Sequence, residues 1–595
     1  MTEKKAHRPV SGSEPRHAHD ASPVCTVDHE QRLRVTLLLR PTGCGHSHPA
    51  AEKHRATCVM PAHQREHFST NELEALYALD AAHVGLIKHF AEEYDLDVIE
   101  VNHARHDVVL EGTVHSLNEA FRVDLQHYEC EKCTYHSHSG EVHLPEELHD
   151  IVESVAGLDS VPFDHHHAAQ GASAVQGVTP GELLEHYNIP GDAAGSGHRI
   201  AVIALGGGYH ESDLATFFAD VAGCPAPTIR ALSVDGATNE PLAIDRLHNV
   251  SLAFSDPSNS MSDLSRQFGE DFAATVETAE TTMDVQIAGA FAHEADIDVY
   301  FAPNDGRGMY DAICAATGLY EALDDTGQPY RPETPPTVIS LSWGTAESRS
   351  TKMGVTMIQR AVEKAQQLGV CVACASGDAG SLGEVGDSRP TQSSVLFPAS
   401  SPSALAVGGT QFDVGESGAF AHERAWNDVD RGAHQATGGG VSGAIAAPAW
   451  QQAENVPSHG QLNGDAWLYD GIPEVQRKGF VGRGVPDVAA YANPLPGYAV
   501  ILGGVRTSAG GTSAATPMWA GLATRLSQLW GRRVSWLNEL VYYPVVKETF
   551  RPITKGNNEL LKGPASFRAG PGWNGCCGLG APDGKRLLEA LRKLR

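Results

Sequence analysis

Four residues carry chemistry when read together: Glu280, Asp284, Asp378 and Ser513. Ser513 stands in Gly510-Gly-Thr-Ser-Ala-Ala-Thr-Pro517, a small-residue turn that opens a helix-like run to Leu529. Pro517 falls early in that run, where a proline is tolerated. A serine at a helix N-terminus meets free backbone N–H groups that favour negative charge. That suits a nucleophile whose reaction makes an oxyanion. A glycine-rich turn with serine as its cap is the plainer alternative.

A serine nucleophile needs a base. After residue 170 the histidines are His186, His198, His210, His248, His293, His422, His434 and His459, and none has the setting of a subtilisin histidine. Carboxylates offer more. Glu280-Thr-Thr-Met-Asp284 lies in the helical run Thr278 to Phe291, which puts both acids on one face, one turn apart. Two such groups share protons, and one pKa rises. The pair can take a proton from serine and return it to a leaving amine. A solvated acidic face is the alternative, and the apolar continuation Val285 to Ala292 weighs against it. Asp378, in Ala375-Ser-Gly-Asp-Ala-Gly380, follows a strand. It is either an ordinary turn aspartate or, held protonated, a hydrogen-bond donor to a developing negative charge.

Positioning these residues takes an α/β framework. Arg199 to Leu205, Asp296 to Ala302, Val338 to Ser342, Val370 to Ala375 and Ala404 to Val407 read as buried strands with helices between them. That order implies a largely parallel sheet covered on both faces, with its active site at the carboxyl ends of the strands. Gly206-Gly-Gly-Tyr209 is a tight turn rather than a dinucleotide fingerprint, because spaced glycines are absent. Segments 246–271, 380–394 and 461–481 read as surface insertions.

Of the 30 histidines, 22 precede residue 170, and this shift marks a boundary. Residues 1–30 are expected to be disordered, 31–165 to form a small α+β domain and 166–178 a linker. The domain 179–595 opens with a helix capped at Thr179. Before the linker, strands at Arg32 to Leu39, Leu96 to Asn102, Val108 to Val114 and Val123 to Tyr128 alternate with helices at Asn71 to Tyr94 and Ser116 to Phe121. Cys130 and Cys133, with His136 and His138 nearby, offer zinc ligands or simply a hairpin tip. The other paired cysteines, Cys371/Cys374 and Cys576/Cys577, read as buried thiols.

The chain has 595 residues and a formal charge of −29, which disfavours nucleic acid as a partner and suits solubility at low pH. No apolar run is long enough to span a membrane. Met1 to Val24 is polar and lacks the hydrophobic core of a secretory signal.

Together these stretches resemble the sedolisin family, the serine-carboxyl peptidases, and most closely its kumamolisin branch. The same pattern extends to Ile339-Ser-Leu-Ser-Trp-Gly344, Thr437-Gly-Gly-Gly-Val-Ser442, Gly482-Arg-Gly-Val-Pro-Asp487, Gly570-Pro-Gly-Trp573 and Gly578-Leu-Gly580. The resemblance implies a subtilisin-like catalytic domain behind a small ferredoxin-like prodomain that assists folding and blocks the cleft. Ser513 would be the nucleophile, Glu280 the general base and then acid, Asp284 its support, and Asp378 the oxyanion-hole donor. Trp343 would pack behind the glutamate. The reaction would be cleavage of peptide bonds in protein substrates at acid pH, by a monomeric zymogen that processes itself and acts outside the cell. Rival readings are a neutral Asp-His-Ser subtilisin and a degenerate scaffold protein.

Two departures stand out. Where relatives often carry a supporting acid at the end of the first catalytic strand, this chain has Ala204. The family's calcium loop would be built from Ile553, Gly570, Gly572 and residue 574, but its two aspartates are replaced by Pro552 and Asn574. No cofactor is needed for the chemistry, and calcium is doubtful. The histidine excess before residue 170 suggests that acid, by charging those side chains, loosens this domain from the cleft.

Overall fold

The computed structural model describes residues 6–17, 21–41, 49–130, 134–163, 169–171, 177–254, 261–383, 394–414, 420–431, 435–452, 454, 456, 481–560 and 566–594. It divides into two compact units. One comprises Met1–Phe163, Pro303–Cys314 and Arg349–Leu368, and the other Asp164–Ala302, Ala315–Ser348 and Gly369–Arg595. No described helix is long and apolar enough to cross a membrane.

The first unit has a four-stranded antiparallel sheet in the order Asp97–Asn102, Asp107–Thr113, Arg32–Leu39, Val152–Ala156. Helices Ala81–Glu93 and Val114–Phe121 complete the ferredoxin-like β-α-β-β-α-β order. Side chains start both helices: Asp80 accepts from the Ala82 N–H and Thr113 from the Ser116 N–H. Val35, Leu37, Ile87, Phe90, Leu110, Leu117 and Phe121 fill the core. The run from Asn71 to Tyr94 is two helices rather than one, since Asp80 caps a second start after Thr70–Leu76.

Described residues among the first thirty depart from the expected disorder. His7–Pro9 pairs with His143–Pro145, and Ser22–Thr26 pairs with Gln126–Glu129. Both partners lie a hundred residues or more away, so local composition carried no trace of them. Cys130 is disulfide-bonded and therefore offers no thiolate to zinc, which removes the zinc reading; Cys133 lies outside the described residues. Cys371, Cys374, Cys576 and Cys577 are buried free thiols.

Two segments from beyond the linker complete this unit, and they meet it through buried charge. Arg105 Nε donates to Asp107 Oδ2 (2.8 Å), and Arg105 Nη2 lies 3.2 Å from Asp311. Tyr310 donates to Asp107 at 2.8 Å, and Lys364 Nζ donates to the Arg105 carbonyl. Arg105, Asp107 and Asp311 are fully buried, so the charges survive only because they face one another.

The second unit is built on parallel strands: β1 (Arg199–Ala204), β2 (Ile229–Ser233), β3 (Asp296–Phe301), β4 (Val338–Leu341), β5 (Cys371–Ala375), β6 (Ala404–Val414) and β7 (Val488–Tyr491). Their spatial order is β2-β3-β1-β4-β5-β6-β7, each pair parallel. The strands are almost wholly apolar because both faces are covered. Helix α1 (Glu270–Phe291) and helix α2 (Thr512–Trp530) pack on one another. A Cβ on Gly521 would lie 2.4 Å from Phe291 Cβ, so the glycine permits that close approach. Segment 246–271 is largely helical, as Ile244–Phe254 and Met261–Phe268, with Leu247 and Val250 buried. Most of 380–394 and 461–481 lies outside the described residues.

Thr179 caps Pro180–His186 as expected, and its cap is a capping box with Glu182. In the linker, Ala169–Gly171 pairs antiparallel with Ser508–Gly510, the end of strand β8 (Val505–Gly510).

Candidate active site

Three turns at the carboxyl ends of parallel strands build the site. Strand β1 runs into Gly206-Gly207-Gly208, β4 into Ser342-Trp343, and β5 into Ser376-Gly377-Asp378. Helix α1 lies against the first of these. Thr281 and Thr282 donate to the carbonyls of Gly206 (3.1 Å) and Gly208 (3.2 Å). A Cβ on Gly207 would sit 2.4 Å from the Glu277 backbone, so the triple glycine is a contact surface for the helix. Further along, Gln286 exchanges two hydrogen bonds with Ile501. The buried polar residues of α1 are thus anchored to main chain, and the register leaves Glu280 and Asp284 facing inward, 4 % and 1 % exposed.

Strand β8 delivers Ser513. Gly511 precedes α2 with φ +97°, and a side chain there would meet Asp378 Oδ2 at 2.4 Å. Ser513 is the second residue of α2 and fully buried. Pro517 is inside the helix rather than at its opening position.

Asp378 is held by the residue before the serine. Its Oδ1 accepts from the Thr512 N–H (2.8 Å) and the Thr512 hydroxyl (2.9 Å). Thr512 Oγ1 in turn accepts from the Gly377 N–H at 2.9 Å. Asp378 Oδ2 makes no hydrogen bond. Burial pushes the Asp378 carboxyl up to about 7, against the opposing effect of both Thr512 donors.

Asp284 Oδ1 accepts from the Ser342 hydroxyl at 2.9 Å. Both carboxyls of the α1 pair are pushed well above the usual range, Glu280 by burial and then by the Asp284 charge, Asp284 by burial. The Ser513 hydroxyl lies close enough to favour the ionised form of Glu280, without a hydrogen bond of standard geometry. The groups acting on Glu280 are Asp284, Ser513, Asp378 and Ser342, and no histidine is among them. All four sequence-selected residues therefore converge in the second unit.

A family model for the Pro-kumamolisin activation domain matches residues 20–161, and one for the subtilase family matches residues 269–538. Kumamolisin from Bacillus sp. (strain MN-32) is 34% identical over 99% of this chain and 97% of its own length. The chain belongs to the sedolisin family. It is a kumamolisin-type serine peptidase with an activation prodomain. Tripeptidyl-peptidase sed5 of Aspergillus fumigatus is 25% identical over 98% of this chain and 97% of its own length. Pseudomonas sedolisin, solved with two molecules of pseudo-iodotyrostatin, shares the subtilisin-like fold at TM-score 0.51 and 21% identity. The match covers 71% of this chain and 99% of that one.

Sequence reasoning missed three residues of this sedolisin-type site. Thr512 and Ser342 orient the two aspartates, and both were visible inside quoted motifs as neighbours of chosen residues. Glu277 is the third. Its carboxylate and the Trp343 ring both border Gly206, 3.5 and 3.8 Å from where a Cβ would be, at the turn where Ala204 supplies no acid. Trp343 is itself buried.

Of the residues expected to form a calcium loop, Ile553, Gly570 and Asn574 meet. Asn574 Nδ2 faces the carbonyls of Ile553 (3.4 Å), Gly570 (3.2 Å) and Gly578 (3.4 Å), and Gly572 makes none of these bonds. Among the described residues no cluster of three His, Cys, Asp or Glu side chains is arranged to hold a metal ion.

Proposed function

We propose that this protein is an acid-active, self-processing endopeptidase that hydrolyses peptide bonds through Ser513, Glu280 and Asp284, with Asp378 in the oxyanion hole. The observation that carries the reading is the meeting of three buried carboxyls with one buried serine at a helix N-terminus.

Glu280, ionised, takes the hydroxyl proton as Ser513 Oγ attacks the carbonyl carbon of the scissile bond. The carbonyl oxygen gains the electron pair, and Asp378, protonated, donates to it alongside the Ser513 N–H. Glu280 then gives its proton to the departing amine nitrogen, and the C–N bond breaks. Water repeats the sequence on the acyl-enzyme. Asp284 accepts from Ser342 and shares protons with Glu280, which keeps Glu280 near its working pH. A raised Asp378 keeps its donor proton in acid, whereas the raised Glu280 sets the acid limb, because Glu280 must ionise to act as base before it returns the proton to the amine. Pairing of Ala169–Gly171 with the strand that runs into Ser513 supports processing within the linker.

The test is mass analysis after incubation near pH 4 of the native chain beside Ser513→Ala. Loss of the residues before the linker from the native chain alone supports the reading. Both chains remaining whole would favour a scaffold or activation by another protease. A requirement for a histidine, with activity rising towards neutral pH, would favour an Asp-His-Ser subtilisin.

A further inference from the structure

The carbonyl oxygens of Ile553 and Gly570 converge on one point, which the Gly578 carbonyl also faces while accepting the Asn574 backbone N–H at 3.1 Å. Such oxygens repel one another unless a cation or hydrogen-bond donors lie between them. Here the Asn574 amide nitrogen lies between them. Its oxygen points away and accepts from the N–H groups of Cys576 (3.2 Å) and Cys577 (3.0 Å). That network fixes which way round the amide sits. Turned over, it would set its oxygen against three carbonyls and its NH2 against two N–H donors.

The residues present do not fit calcium. With Pro552 and Asn574 in place of the family's aspartates, the cradle offers only neutral oxygens, whereas a hard dication is held by charged ones. We propose that Asn574 replaces the metal ion, closing this loop with an uncharged amide and making its order independent of calcium. The substitution also removes a liability. A carboxylate-bound cation is lost as its ligands protonate in acid, and an amide does not titrate.

The loop matters because it abuts the oxyanion turn. The Ser381 N–H donates to the Asn558 carbonyl at 3.3 Å, and a Cβ on Gly380 would lie 2.3 Å from that oxygen. Asn558 Nδ2 also faces the carbonyls of Gly439 (3.2 Å) and Gly575 (3.4 Å), and the Leu579 N–H donates to the Asp487 carbonyl at 2.8 Å. Asn574 thus supports, at one remove, the segment that carries Asp378.

Thermal unfolding of the full chain, carrying Ser513→Ala to prevent self-cleavage, tests this in chelator and in excess calcium. The parent is expected to give one Tm in both. Asn574→Asp puts a carboxylate oxygen against three carbonyls, so its Tm should fall by about 4 °C in chelator and recover with calcium. Asn574→Ala should fall similarly and not recover. The proposal is overturned if chelator lowers the parent's Tm as much as that of Asn574→Asp. It is also overturned if Asn574→Asp in chelator is as stable as the parent.

Discussion

Pro517 stands four residues after Ser513 in the same helix, so the Ser513 carbonyl lacks the N–H that would normally close its turn. The Ser342 hydroxyl faces that carbonyl at 3.4 Å and Asp284 Oδ1 at 2.9 Å. One hydroxyl carries one proton. While Asp284 is ionised, Ser342 donates to it; once Asp284 is protonated, it can donate to Ser342 and release the Ser342 proton to the Ser513 carbonyl. Ser342→Ala should therefore reduce kcat by about tenfold, with KM little changed, the size expected for one hydrogen bond to a charged group. Steady-state kinetics on a peptide substrate at acid pH would check it, and a rise confined to KM would contradict it.

Glu280→Gln keeps shape and removes the proposed base. Turnover should drop by about a thousandfold, in the range of general base catalysis. The fold should persist, because the site already favours the uncharged carboxyl. The comparison needs circular dichroism beside the rate.

Asp378 should set an alkaline limit. Its folded pKa of about 7 stands above the ordinary 3.8, so below about pH 7 the native site keeps the proton proposed to donate to an oxyanion. Activity should fall as pH rises through about 7. In Asp378→Asn, an amide that donates at any pH should flatten that limb. A kcat/KM profile with an unchanged alkaline limb in the variant would assign the limb to another group.

The same shift is a stability statement. The native state binds the Asp378 proton more tightly than the unfolded chain, so this contribution to stability is complete below about pH 4 and is lost as pH rises from about 4 to about 7. The loss is on the order of 4 kcal/mol. Urea midpoints across that window should fall in Ser513→Ala and fall less in the double variant with Asp378→Asn.

The N-terminal unit should respond in the opposite sense. His138 is buried beside His17 and His136, and burial pushes it down from 6.5 to about 4. His106 and His136 are lowered by burial as well. The unfolded chain takes these protons first, so stability present above about pH 6.5 is lost as pH falls toward about 4. Replacing His138 with Gln should move acid-driven release of the cleaved N-terminal fragment to lower pH, followed by gel filtration after cleavage.

The framework was legible where one short stretch carried its own signal. Arg32–Leu39 and Arg199–Ala204 announce strands by apolar pattern, and Thr179 with Glu182 announces a helix start. The acids of α1 were legible because i and i+4 share a face. What escaped was pairing at long range. Nothing near His7 indicates His143, and nothing near Arg105 indicates Asp311. Asn574 escaped for a different reason: its type signalled the loss of a carboxylate, whereas its role depends on three carbonyls that only the folded loop brings together.

Arg105 and Asp311, joined in the first unit, lie two hundred residues apart in the chain. During synthesis Arg105 and Asp107 emerge while Asp311, the second acid facing Arg105, has yet to be made. The first 163 residues thus stay short of their final packing until Pro303–Cys314 and Arg349–Leu368 arrive. The order of translation leaves the N-terminal segment waiting for two later pieces of its own chain to complete it.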